Sequence, residues 1–173
     1  MEAQYRYCRR TFLREVGRKA GERADWADYQ GDPIPRFCES LVCAAVGGKL
    51  AANRSQQGWD IERPDGRHVQ VKVLRTRENV QNDLRLDPTD GTDDFAVVFF
   101  ENYRPATLIV IPNSALTSVR TELRGSSKRK STTLVLRRKD RHPLIAIAKG
   151  SNKLGIEVFE LPARNEQHDH PFV

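Results

Sequence analysis

The five residues RPDGR, Arg63 to Arg67, constrain this chain more than any other stretch of it. Pro64 suits the first corner of a type I turn and Asp65 the second, while Gly66 supplies the left-handed position that closes a three-residue hairpin loop with a bulge. Such a loop sets Arg63 opposite Arg67 and, step by step outward, Glu62 opposite His68, Ile61 opposite Val69 and Asp60 opposite Gln70. Opposed residues of an antiparallel pair share a face, and side chains alternate along each strand. One face of the predicted hairpin therefore carries Trp59, Ile61, Val69, Val71 and Val73, and the other carries Asp60, Glu62, His68, Gln70 and Lys72. The first set is core.

The second set gathers a carboxylate, an amide oxygen and an ammonium. Carboxylate and amide oxygens are hard ligands suited to Mg²⁺, and a neighbouring lysine can orient water and offset phosphate charge. An ordinary amphipathic hairpin with a wet outer face has the same pattern, so the pattern alone leaves both readings open. A second feature concerns the stretch FCESLVCAAV, where Glu39 is the one charged residue in a segment apolar nearly all round. A buried carboxylate is costly without a cation or strong donors. Glu39 pairs with an arginine, lies at an exposed edge of its helix, or faces the hairpin and reaches the same metal.

Elsewhere the pattern predicts a helix in the first thirty residues, with a partial stripe of Tyr7, Phe12, Leu13 and Val16. A second helix lies in GDPIPRFCESLVCAAVGG, with Asp32 available as its cap, prolines in its entry and Gly47-Gly48 at its end. Strands are expected at 58 to 63 and 68 to 75, then in DFAVVFF, whose continuous apolar run suits a strand buried on both faces, and in ATLIVIP. PNSALTSVRTEL restarts a helix with Asn113 or Ser114 as cap. STTLVLRRK, PLIAIAK and GIEVFEL read as a strand-rich C-terminal part, and ARNEQHDHPFV as a frayed tail. The class is α/β or α+β with a mixed sheet, of which α/β is taken as the expectation. At 173 residues the chain suits one domain over 1–162, comprising an N-terminal helical extension (1–31), a motif-bearing core (33–111) and a basic C-terminal part (112–162), with a flexible tail at 163–173.

The overall charge of +6 is unevenly placed. From Arg120 to Lys149 ten cations face two carboxylates, a balance of +8, so the remainder of the chain totals −2. Arg120, Arg124, Lys128, Arg129, Lys130, Arg137, Arg138, Lys139 and Arg141 have the footprint of a polyanion binder, although a solvated loop around RGSSKRKS accounts for the run as well. The five aspartates from Asp83 to Asp94 read as a solvated acidic loop lacking calcium-loop spacing. Cys8, Cys38 and Cys43 have no CxxC spacing and read as free thiols, two of them in a buried helix. No run approaches the about 18 apolar residues of a membrane span, and the N-terminus lacks a secretory apolar core, so a cytoplasmic location and no membrane partner are expected.

Glu39 on a helix, then Asp60, then Gln70-Val71-Lys72 on the next strand resemble the PD-(D/E)xK, or restriction-endonuclease-like, nuclease superfamily, in the branch whose motif is QxK, as in Mrr-like enzymes. The resemblance covers roughly residues 33 to 111, with Trp59 in place of the usual proline and Gln70 in place of the usual acid. It implies a central mixed sheet flanked by helices with the site at its edge. It also implies a Mg²⁺-dependent endonuclease, with Mn²⁺ as a substitute, acting on nucleic acid and above all DNA to leave a 5′-phosphate. Asp60 and Gln70, the Val71 carbonyl and Glu39 would hold the metal, and Lys72 would be the catalytic lysine. Dimers are common in the superfamily, but no residue here demonstrates one. Two alternatives remain: a nuclease fold retained as an inactive module that binds nucleic acid or a protein, and a basic assembly protein that docks on RNA.

Overall fold

The computed structural model describes residues 33–51, 58–75, 83–88, 90–101, 104–125 and 132–161. The expected N-terminal helix, the Asp32 cap, Lys128 to Lys130 and the tail lie outside them. Helix α1 (Pro33–Val46) opens on two prolines, which suit a first turn because the N–H groups they lack have no intrahelical acceptor. It stops at Gly47, whose φ of 70° begins a Schellman closure: the Gly48 N–H donates to the Cys43 carbonyl at 3.0 Å. Cys38 and Cys43 both lie on α1 as free thiols, the first buried.

After β1 (Lys49–Leu50) and β2 (Ile61–Glu62), the hairpin returns as β3 (His68–Arg75). The turn has the expected chemistry. Gly66 sits at φ 81°, its N–H donates to the Arg63 carbonyl at 2.9 Å, and the Arg63 N–H donates to the Arg67 carbonyl at 2.8 Å. Ile61 opposes Val69 and Glu62 opposes His68, which is the register deduced from the loop. The strand expected at 58 to 63 is shorter than predicted, because regular pairing begins only at Ile61.

A crossover carrying β4 (Leu84–Leu86) leads to β5 (Asp94–Glu101), which lies parallel to β3, and β6 (Arg104–Pro112) returns antiparallel. A short 3₁₀ turn (Asn113–Ala115) enters helix α2 (Leu116–Arg124), then come β7 (Leu134–Leu136), helix α3 (Arg141–Gly150) and β8 (Glu157–Glu160). The main sheet has six strands in the order β1-β2-β3-β5-β6-β8, antiparallel except for β3–β5, while β4 and β7 form a separate pair. The protein is thus α/β, with a central mixed sheet flanked by helices.

Alternation along the strands builds two cores. Val69, Ala96, Val98, Leu108 and Val110 pack with Ile61 against Cys38 and Val42 of α1, and the half-buried Val71 and Val73 join them. On the other face Leu74, Phe95, Val97, Phe99, Ile109 and Ile111 pack with Leu116 and Val119 of α2, Leu144 of α3, and Leu86, Leu134 and Leu136 of the small sheet. Every residue from Asp94 to Phe100 is buried, as the unbroken apolar run predicts. A fully buried side chain of this size is worth about 1.5–3 kcal/mol, so the two cores are the main stabilising term.

Three expectations need correction. PLIAIAK is helical, within α3. Pro143 falls in the first turn, where it is tolerated; Leu144, Ile147 and Ala148 have helical spacing, while the unbroken apolar run from Leu144 to Ala148 also suits a buried strand. Neither Asn113 nor Ser114 caps α2; Asn113 starts the 3₁₀ turn and its Nδ2 donates to the Thr92 carbonyl at 3.0 Å. The acidic loop is not simply solvated, since it contributes β4, and Asp94 is only 1 % exposed.

Among the described glycines, Gly48 is the one where an added side chain would collide with neighbouring backbone. A Cβ added there would lie 2.7 Å from the Glu62 carbonyl oxygen and 2.6 Å from Ile61 Cγ2. Gly48→Ala is therefore expected to destabilise the protein by about 1–3 kcal/mol, read from the urea midpoint at unchanged slope.

Candidate active site

The ladder between β2 and β3 ends one residue short of the expected site. The Asp60 N–H donates to the Val69 carbonyl at 2.9 Å, although Val69 is already opposite Ile61, so the chain slips by one residue at Asp60. This slip turns the carboxylate along the plane of the sheet, where Asp60 Oδ2 accepts the Val71 N–H at 2.7 Å. The Ala51 N–H donates to the Asp60 carbonyl at 2.8 Å and holds the residue from the β1 side. Asp60 thereby satisfies the first rung of β3 that β2 leaves open.

Because N–H and C=O of one strand residue point to the same side, the Val71 carbonyl is directed to the edge that Asp60 occupies. No hydrogen bond to that carbonyl from the described residues crosses this edge. Gln70 and Lys72 alternate with the three valines and so project from the other face of the sheet. Both are half-buried, and among the described residues neither side chain makes a hydrogen bond or ion pair. Asp60 Oδ1 likewise accepts nothing from the described residues.

Glu39 belongs to α1, which covers the valine face, whereas Gln70 and Lys72 project from the opposite one. Among the described residues no three or more His, Cys, Asp or Glu side chains gather in a metal-holding group. The oxygens that suit a divalent cation are therefore one carboxylate, the Gln70 amide and the Val71 carbonyl. Such a donor set fits Mg²⁺, which binds through one or two carboxylates and keeps several waters.

Trp59 departs from the expected pattern. It does not join the valines but stacks on His68, ring centroids 4.1 Å apart and planes within 3°. The slip at Asp60 explains this, because it shifts the alternation of every residue before it.

The loop end of the hairpin is anchored by ions that sequence reading missed. Asp94, at the head of β5, pairs with Arg67 and, at 3.4 Å, with Arg63. Arg63 also reaches Glu157 of β8 with two hydrogen bonds at 2.8 and 3.3 Å. Burial pushes the Asp94 carboxyl above its ordinary value, with Arg67 and Arg63 pulling it back. The hydrogen bond to Glu157 is the main influence holding the Arg63 guanidinium above its ordinary value. The signal was present: an aspartate opens an otherwise apolar strand, and two arginines flank the hairpin loop. An open cleft of about 480 Å³ adjoins this anchor, lined by Arg67, Pro88, Thr92, Asp93, Asn113 and Ser114; none of Asp60, Gln70 or Lys72 lines it.

Elements α2, β7 and α3, which with the segment 137–139 make up the basic part of the chain, cover the face from which Gln70 and Lys72 project. Their cations divide by role. Arg124 grips Asp140 through both guanidinium nitrogens and also donates to the Val135 carbonyl at 3.2 Å, and Arg137 pairs with Asp83 at 3.0 Å. Lys149 pairs with Glu160 at 3.3 Å on the surface. Arg120 and Arg141 are half-buried, and Arg138 and Lys139 are exposed. No protein-family model matches the chain, and no curated protein matches it.

Proposed function

We propose that the protein is a metal-dependent nuclease that hydrolyses phosphodiester bonds of DNA, of the restriction-endonuclease-like kind that its sequence resembles. The observation that carries the reading is the position of Asp60 at the edge of β3, 2.7 Å from the Val71 N–H and next to Gln70 and Lys72, three side chains the fold does not otherwise consume in ion pairs. Arg63 and Arg67 beside the hairpin loop, and Arg124, Arg137 and Lys149 in the basic part, are engaged by carboxylates, which makes the unengaged, half-buried Lys72 conspicuous. A bound Mg²⁺ would polarise the phosphoryl oxygen and lower the pKa of water. Asp60, the Gln70 amide and the Val71 carbonyl would hold the cation. Lys72 would position the attacking water and offset charge on the phosphate as it develops. Arg138 and Lys139, exposed on the side of the sheet that carries Lys72, would contact the sugar-phosphate backbone and position the strand without reading its sequence.

The single carboxylate favours a second reading, in which the same surface holds DNA without cutting it. Incubation with plasmid, linear duplex and single-stranded DNA in Mg²⁺, Mn²⁺ or EDTA separates the two. The nuclease reading expects cleavage in either metal, none in EDTA, and loss of cleavage in Lys72→Ala with DNA retention preserved. Retention of all three DNAs without cleavage in any metal would instead favour the binding module.

A further inference from the structure

We infer that Trp59, stacked on His68, is a platform for an unpaired nucleobase, so that the strand presented to Asp60 and Lys72 is single-stranded at that point. The inference rests on the proposal that this face meets nucleic acid. The slip at Asp60 removes the indole from the valine core and lays it parallel to an imidazole, with centroids 4.1 Å apart and 3° between the planes. His68 beneath it is fixed through both ring and backbone. Its Nδ1–H donates to the Gly91 carbonyl at 3.2 Å, its backbone N–H donates to Asp93 Oδ2 at 2.8 Å, and its carbonyl accepts the Asp93 N–H at 2.9 Å. The stack is thus held by the loop before β5 and ordered before any ligand arrives.

Trp59 keeps part of its surface exposed, and its indole N–H makes no hydrogen bond to the described residues, whereas a tryptophan serving the core usually finds one. His68 projects on the same side as Gln70 and Lys72, with about 7 Å between successive side chains on one face of a strand. A base on the indole therefore lies within one or two nucleotides of the phosphate that Lys72 would meet. Stacking on an aromatic ring tolerates any base but requires that the base be out of its duplex.

The test uses the full chain in EDTA, where nothing is cut. Trp26→Phe leaves Trp59 as the sole tryptophan of the two in the sequence. A short oligothymidine, an abasic strand of equal length and a duplex are titrated by tryptophan quenching and by anisotropy of the labelled strand. The expected result is quenching by oligothymidine alone and about tenfold tighter binding of it than of the abasic strand. Trp59→Ala lowers oligothymidine affinity to the abasic level without changing abasic binding, and Trp59→Phe restores most of the difference. Equal affinity for the two strands, equal quenching by duplex, or a base preference that survives Trp59→Ala would overturn the inference. If Trp59→Ala loses abasic binding too, its fold has failed, and the quenching comparison in the Trp26→Phe protein decides. Base-dependent quenching without Mg²⁺-dependent cleavage sinks the nuclease reading alone; cleavage without base preference sinks the platform alone.

Discussion

Asp60→Asn is expected to keep the fold and to lose at least about a hundredfold in metal-dependent cleavage rate. The asparagine carbonyl oxygen can still accept the Val71 N–H that Asp60 Oδ2 accepts at 2.7 Å, so stability changes by no more than about 1 kcal/mol. What is removed is the one negative charge that the Asp60, Gln70 and Val71 oxygens contribute between them. Loss of an outer partner to a metal ligand already costs about 10–100-fold, and loss of a sole charged ligand exceeds that. Asp60→Ala is the informative companion: it also abandons the Val71 N–H, adding about 1 kcal/mol of destabilisation to the same catalytic loss. Cleavage time courses beside urea melts separate the two effects. Full activity in Asp60→Asn would remove Asp60 from the chemistry.

The second large effect is on stability. Arg124→Ala is expected to destabilise the protein by about 2–3 kcal/mol at neutral pH, lowering Tm by roughly 5–10 °C. Asp140 is 2 % exposed, and its carboxylate is held by Arg124 and, at 2.7 Å, by the Arg137 N–H. The figure sits below the about 3–5 kcal/mol of a fully buried broken pair because the Arg124 side chain is itself 34 % exposed and the Arg137 donor remains. Burial pushes the Asp140 carboxyl up, but the Arg124 hydrogen bonds, the Arg137 N–H and the charges of Arg124 and Lys139 together hold it below the ordinary value. A depressed folded-state pKa gives stability that is present above the ordinary carboxylate value and lost as pH falls through the folded one. In Arg124→Ala burial acts without its main opponent, so the gap between variant and parent should be widest near pH 7. It should narrow as pH drops through about 4, the ordinary aspartate value. A gap independent of pH between 7 and 3 would mean that the arginine stabilises through packing rather than charge.

These effects also show how far the sequence carried. The hairpin loop was legible because few residue types fit its positions, and Gly66 adopts the left-handed conformation the turn needs. The register of Ile61 with Val69 followed from loop length alone. Buried strands β5 and β6 and the Gly47-Gly48 closure of α1 were equally plain, because their signals are local. The slip at Asp60 was not legible: it comes from the edge rung at Val71 seeking an acceptor, and it moved Trp59 from the core to the His68 stack. PLIAIAK misled because the unbroken apolar run from Leu144 to Ala148 suits a buried strand and a buried helical turn alike, and packing of Leu144 into the α2 side of the core settles it as a helix. Asp94 was counted with its solvated neighbours because nothing beside it in sequence reveals that Arg63 and Arg67 converge on it. Asp60 meets Val71 at the edge of β3, and Gln70 and Lys72 flank Val71 on that strand, while the helix bearing Glu39 covers the opposite face from Gln70 and Lys72.

A paramagnetic Mn²⁺ titration followed on the backbone amide signals tests the central claim most directly, since it locates the cation without needing a substrate. Broadening that begins at Asp60, Gln70, Val71 and Lys72, and that Asp60→Asn abolishes, is the predicted result. Broadening that begins instead among Asp83, Asp87, Asp90 and Asp93, or that persists unchanged at β3 in Asp60→Asn, would contradict a metal-dependent centre at this edge.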